Sequence, residues 1–175
     1  MRVGLLGGSF NLPHEGHRHV ADAARAALNL DRVIWLVSPQ NPLKNKAETA
    51  PQARRIAAVR AMVGNRATSV TGLEADLGSP YTVDTIVWLK RRYRGVRFFW
   101  LMGSDNLLGL HRWRRWRMLP RLIEVVVVPR PGSTVRGRLA PGGRLLTASG
   151  RARFLEKPLI AASSTALRIR AMHRR

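Results

Sequence analysis

The sequence predicts an α/β domain built on a doubly wound, mainly parallel sheet flanked by helices. Three observations carry that prediction. Short apolar runs at 2–6, 32–38, 96–102 and 122–128 have the length and the β-branched or aromatic content of buried strands. Stretches with helical apolar spacing lie between several of them, as crossovers joining parallel strands require. The runs end in loops rich in Gly, Pro and polar residues, so the carboxyl ends of the strands would share one ligand-binding edge. With 175 residues, 45% of them hydrophobic, the chain can bury one good core and is short for two, so a single domain is expected.

The first run empties into GGSFNLPHEGH, residues 7–17, the most informative stretch in the chain. Gly7 and Gly8 permit backbone conformations and close approaches that a side chain would block. A helix follows over 17–28, with Val20, Ala23, Ala24, Ala27 and Leu28 on its inner side, and its positive amino end favours an anion in the loop. His14 and His17 are three apart, so both imidazoles can face the same bound group, and Gly16 leaves room for it. The spacing is one residue short of HExxH, and neither GK[ST] nor GxGxxG is present. With no cysteine either, a zinc site is not expected.

Residues 32–38 predict the second strand, and the prolines of 39–44 place a loop after it. A helix over 50–63 would turn Ile56, Ala57, Val59, Met62 and Val63 inward, leaving Arg54 and Arg55 in solvent. A short strand over 67–73 precedes GSPYTVDT, where Thr82 is positioned to cap a helix running through Ile86, Leu89 and Tyr93. The apolar run 96–102 reads as a central strand ending at Gly103-Ser104-Asp105-Asn106, where Asp105 could contact a ligand or cap a turn.

The segment HRWRRWR, 111–117, supports two readings. Alternating basic and aromatic residues suit a nucleic-acid stacking surface. Trp113 and Trp116, three apart on a helix, would instead make one face aromatic with the arginines mostly pointing elsewhere. After the strand at 122–128 and the PRPG that closes it, residues 133–150 predict a mobile loop, and 153–158 a last short strand. Near the end, ASSTALR precedes a helix through Ile169 and Met172. Its hydroxyls, amides and Arg168 suit triphosphate oxygens.

Composition adds one abnormal quantity, a formal charge of +21 from 31 Lys plus Arg against 10 Asp plus Glu. A phosphate site needs only a few of those cations, so the remainder imply surface affinity for polyanions or a compositional bias. No stretch has the length of a membrane span, and the first strand begins almost at Met1, so a cytoplasmic protein with no membrane partner is expected.

The ordered motifs together resemble the bacterial nicotinate mononucleotide adenylyltransferases of the HxGH nucleotidyltransferase superfamily, whose signature GGSFDPxHxGH is similar to 7–17. Asn11-Leu12 stands where that family usually has Asp-Pro. GSPYTVDT resembles the family's SYTxDT, Gly103 and Asp105 its Gly-x-Asp, 113–116 its W-x-x-W, and 162–168 its ISSTxIR. The resemblance implies a Rossmann-like fold and transfer of AMP from ATP to nicotinate mononucleotide. It implies His14, His17 and Arg168 as catalytic residues, with Gly7, Gly8, Ser9, Phe10, Gly103, Asp105, Ser163, Ser164 and Thr165 toward ATP. Toward the mononucleotide it implies Asn41, Lys44, Thr82, Thr85 and Trp116, with Trp113 the packing indole, and Mg²⁺ carried chiefly by ATP.

Two other readings fit parts of the same sequence: an adenylyltransferase of the superfamily with another acceptor, nicotinamide mononucleotide or phosphopantetheine, and a basic nucleic-acid-binding module. The excess charge predicts duplex DNA affinity without sequence preference that falls steeply with added salt. Titration with random-sequence duplex at two salt concentrations checks this; salt-insensitive or sequence-selective binding would favour the nucleic-acid module.

Overall fold

The computed structural model describes residues 1–39, 49–64 and 68–156. Its centre is a six-stranded sheet of order β3-β2-β1-β4-β5-β6, parallel at every pairing. The strands are β1 (Arg2–Gly8), β2 (Arg32–Val37), β3 (Thr68–Thr71), β4 (Arg97–Gly103), β5 (Glu124–Val128) and β6 (Ala152–Phe154). Because β1 pairs with both β2 and β4, the winding reverses there, and a crevice opens at the carboxyl ends of β1 and β4.

Successive side chains of a strand enter opposite layers, and the strands obey this alternation closely. Leu6, Val33, Trp35, Phe99, Leu101, Val126 and Val128 pack on one face with α1 (Glu15–Leu28) and α2 (Gln52–Val63). Leu5, Leu36, Phe98, Trp100, Met102, Val125 and Val127 pack on the other, below α4 (Thr82–Arg92). Both faces are covered, which is why these runs are almost continuously apolar. A short α3 (Leu73–Asp76) joins β3 to α4, and α5 (Leu119–Leu122) leads into β5.

Several sequence expectations change. Ala27 and Ala57 are exposed, and Ala21 is buried in the α1 face instead. Arg55, expected in solvent, is 1% exposed. The expected loop over 133–150 contains two helices, α6 (Thr134–Leu139) and α7 (Pro141–Ala148). Its glycines had suggested irregular chain, but Gly137, Gly142 and Gly143 are buried at close backbone approaches. A Cβ on Gly137 would overlap the Ser104 carbonyl, and one on Gly143 the Gly137 carbonyl. The expected helix over 111–117 is broken into 3₁₀ turns, Leu110–Arg112 and Trp116–Met118, separated by an extended Trp113 and a left-handed Arg115.

Candidate active site

The loop after β1 is closely packed from both core layers. A Cβ on Gly7 would enter the Trp100 ring, and one on Gly8 would stand 3.0 Å from the Phe10 ring. Phe10 itself takes φ 45°, a conformation disfavoured for a bulky side chain. Its ring is 2% exposed, 5.1 Å from Trp35 and edge-on to His17 at 5.0 Å. Asn11 Oδ1 accepts the Ala50 amide at 2.7 Å, tying the loop to the approach to α2.

His14 is the N-cap of α1, and its Nδ1 accepts the Gly16 N–H at 3.1 Å. That bond leaves the proton of the neutral ring on Nε2. The ring stacks on His17 with centroids 3.8 Å apart. Burial, followed by the nearby Arg130 cation, lowers the His14 pKa to about 4, with Asp105 opposing. At neutral pH His14 is therefore an uncharged donor, fixed in tautomer by its own helix.

Arg130 reaches this place from the turn after β5. It is 8% exposed, and its Nε lies 3.6 Å from Asp105 Oδ1. Its backbone N–H donates to Ser104 Oγ at 2.9 Å, and Ser104 Oγ shares a 2.8 Å hydrogen bond with Ser133 Oγ. Gly103 is required beneath the pair, since a Cβ there would overlap the Asp105 carboxylate and the Arg130 side chain. Asp105 is thus an ion-pair partner at the crevice; it does not cap the turn that follows, whose N-cap is Gly103.

A second polar cluster surrounds the start of α4. Thr82 lies inside the helix and does not cap it; the N-cap is Tyr81, with no side-chain capping bond. Thr85 is fully buried, and its hydroxyl donates to the Tyr81 carbonyl at 3.4 Å and lies 3.5 Å from Glu74 Oε1. The Asp84 and Thr85 amides already bond the Tyr81 carbonyl, so the amides of Thr82 and Val83 are the ones ahead of the intrahelical ladder. The Trp-Arg-Arg-Trp turn docks here through its arginines. Arg114 covers the Tyr81 ring at 4.7 Å, and Arg115 donates to Asp84 Oδ1 at 2.5 Å, while Asp84 Oδ2 accepts Ser79 Oγ at 2.7 Å. Trp113 packs edge-on against Trp100, and Trp116 is half-buried under Arg117.

Gly7, Gly8, Ser9, Phe10, His14, His17, Gly103 and Asp105 accordingly gather around the β1–β4 crevice, while Thr82 and Thr85 belong to the α4 cluster and Trp116 packs on the core layer that holds Ile86 and Leu89. Asn41, Lys44, Ser163, Ser164, Thr165 and Arg168 lie outside the described residues. Sequence reasoning missed Arg55, Glu74 and Arg130. Only Arg130 carried a signal, a cation in the turn immediately after a fully buried strand. Among the described residues, no three His, Asp or Glu side chains gather as a metal cage, and no helix is long and apolar enough to cross a membrane.

A doubly wound sheet with a glycine loop and paired imidazoles at its switch point defines a nucleotide-binding α/β protein. The sequence profile of the Cytidylyltransferase-like family matches residues 5–170. A "Probable nicotinate-nucleotide adenylyltransferase" of Caulobacter sp. (strain K31) is 48% identical over 96% of this chain and 97% of its own length. One from Parvibaculum lavamentivorans is 45% identical over 97% and 92%. The nicotinic acid mononucleotide adenylyltransferase of Plasmodium falciparum, solved with APC and also with NaAD, shares the fold; with APC the TM-score is 0.77 at 15% identity, over 96% of this chain and 82% of that one. The chain belongs to the Cytidylyltransferase-like family and, within it, to the nicotinate-nucleotide adenylyltransferases.

Glu74 gives the α4 cluster a measurable signature. It is 4% exposed, and burial raises its pKa to about 7, with the Thr85 hydroxyl opposing weakly. A raised carboxyl pKa confers stability that is complete below the unfolded value near 4.5 and is lost as pH climbs through about 7. The difference in unfolding free energy between Glu74→Gln and the parent should therefore shift in favour of Gln from pH 5 to pH 8, by on the order of 3 kcal/mol at most. Denaturant melts at the two pH values measure it; a pH-independent difference would mean that Glu74 ionises as an ordinary surface carboxylate.

Proposed function

We propose that this protein transfers the adenylyl group of ATP to nicotinate mononucleotide, forming nicotinate adenine dinucleotide and pyrophosphate. The observation that carries the reading is the stacked His14–His17 pair at the amino end of α1, opening on the β1–β4 crevice. A phosphate oxygen of the mononucleotide attacks the α-phosphorus in line. One P–O bond forms to it as the bond to the bridging oxygen of the β-phosphate breaks, and pyrophosphate leaves with the electron pair. No protein nucleophile takes part, because positioning and charge stabilisation suffice for a phosphate dianion.

The crevice geometry and the family resemblance support the following roles. His14 Nε2–H donates to a phosphate oxygen in a site where the ring is already neutral and oriented, so no reorganisation accompanies charge development. His17, stacked on it, faces the same phosphates, and Arg168 acts on the leaving pyrophosphate. The amides of Gly8, Ser9 and Phe10 cradle the triphosphate; Gly103 and Asp105 stand by the ribose. Mg²⁺, carried by ATP, would supply charge neutralisation at the triphosphate. The Thr82 and Val83 amides receive the nicotinate carboxylate, with Trp116 over the pyridine ring. Lys44 and Asn41 serve the mononucleotide phosphate.

Carboxylate recognition by two amides makes the acceptor testable. A carboxamide would turn its NH₂ toward those donors, a mismatch of about 1–3 kcal/mol per unpaired buried group. Nicotinate mononucleotide should exceed nicotinamide mononucleotide by at least about tenfold in kcat/KM. Pyrophosphate release with each acceptor measures this, and equal values would move the assignment to another acceptor of the same superfamily. In the same assay His14→Ala and His17→Ala should each lower kcat by about a hundredfold or more with the melt still cooperative. Turnover at the parent rate in either would remove that imidazole from the mechanism.

A further inference from the structure

Arg55 is among the largest fully buried side chains of the protein, and nothing in the mechanism above uses it. Its Nε donates to the Ala50 carbonyl at 2.7 Å. One terminal nitrogen donates to the Ser9 carbonyl at 2.6 Å and the Ser38 carbonyl at 2.8 Å, and the other to the Pro39 carbonyl at 2.7 Å. Four backbone oxygens from three separate segments therefore converge on one guanidinium. No carboxylate of the described residues pairs with it. Burial lowers its pKa, yet an arginine stays charged, so among the described residues this buried cation is met by carbonyl dipoles.

The bond to Ser9 has a geometric consequence. Across a planar trans peptide the C=O and N–H point in opposite directions, so fixing the Ser9 carbonyl toward Arg55 turns the Phe10 N–H away from it. Phe10 is also the loop residue at φ 45°, an arrangement that persists only where its surroundings over-determine it. The ring is held by Trp35, His17 and Gly8, and the peptide on its amino side by Arg55. We propose that Arg55 is a positioning residue for the phosphate loop: it locks the Ser9–Phe10 peptide with its N–H ready for an anion, and sets a buried guanidinium behind that loop. It touches no substrate, and a lysine cannot replace it, since an ammonium lacks the planar fork that reaches four carbonyls. The inference rests on the preceding reading only in taking the loop to hold phosphates.

Arg55→Lys and Arg55→Gln test it, using calorimetric titration with inorganic pyrophosphate, inhibition by adenosine against ATP, and thermal melts. In any variant that melts cooperatively, pyrophosphate affinity should fall at least tenfold and kcat with it, while the adenosine inhibition constant stays within twofold of the parent. A general loosening of the fold would weaken adenosine and pyrophosphate alike, and that result overturns the proposal. So would pyrophosphate affinity within twofold of the parent, or failure of both variants to fold, which would make Arg55 a determinant of folding only. A parent protein that does not bind pyrophosphate would overturn the adenylyltransfer reading itself, whatever the variants do.

Discussion

Parallel pairing of β1 with a neighbour on each side is the constraint on which the rest depends. Once β2 and β4 both run alongside β1, their crossovers must leave in opposite directions, and the space above the ends of β1 and β4 stays open. Every strand then delivers its following loop to the same edge. That is how Gly7 and Gly8, Gly103 and Asp105, and Arg130 meet, although more than a hundred residues separate the first from the last. The amino end of α1 arrives at this edge too, with His14 as its cap.

Electrostatics at the site follow from that crowding. His14 is buried beside a buried arginine, so it remains neutral and presents an N–H rather than a charge. Permanent charge sits instead on Arg130, ion-paired with Asp105 beside it, and on Arg55 behind the loop. Dividing the work in this way keeps a fixed hydrogen-bond donor and a fixed field in one place over a broad pH range. It also separates the few cations that matter from the large surface excess, most of which needs no part in the chemistry.

The fold was legible because burial on both faces of a parallel sheet leaves an unmistakable trace, seen in the runs around Leu36, Trp100 and Val126. The glycine loop and imidazole pair were legible because their chemistry depends on local sequence. Arg55 was not, since nothing local marks an arginine on α2 as the one turned inward; its partners Ser9 and Ser38 are brought to it only by the tertiary fold. The glycines of α6 and α7 misled for a related reason. Their purpose is contact with Ser104 and with each other, and a glycine chosen for proximity looks the same as one chosen for a turn. At 111–117 the helical spacing of the indoles was overridden by Arg115, whose left-handed backbone lets its side chain reach Asp84.

The two shifted titrations, at His14 and Glu74, act in opposite senses. In the unfolded chain at mildly acidic pH the imidazole carries a proton and the carboxyl does not; in the folded protein the order is reversed. For these two groups folding thus moves a proton from the β1–β4 crevice to the α4 cluster. Their contributions to the pH dependence of stability therefore oppose each other across that interval, whereas each group, taken singly, would make stability pH-sensitive there. A lineage that lost either group alone would inherit the sensitivity of the other.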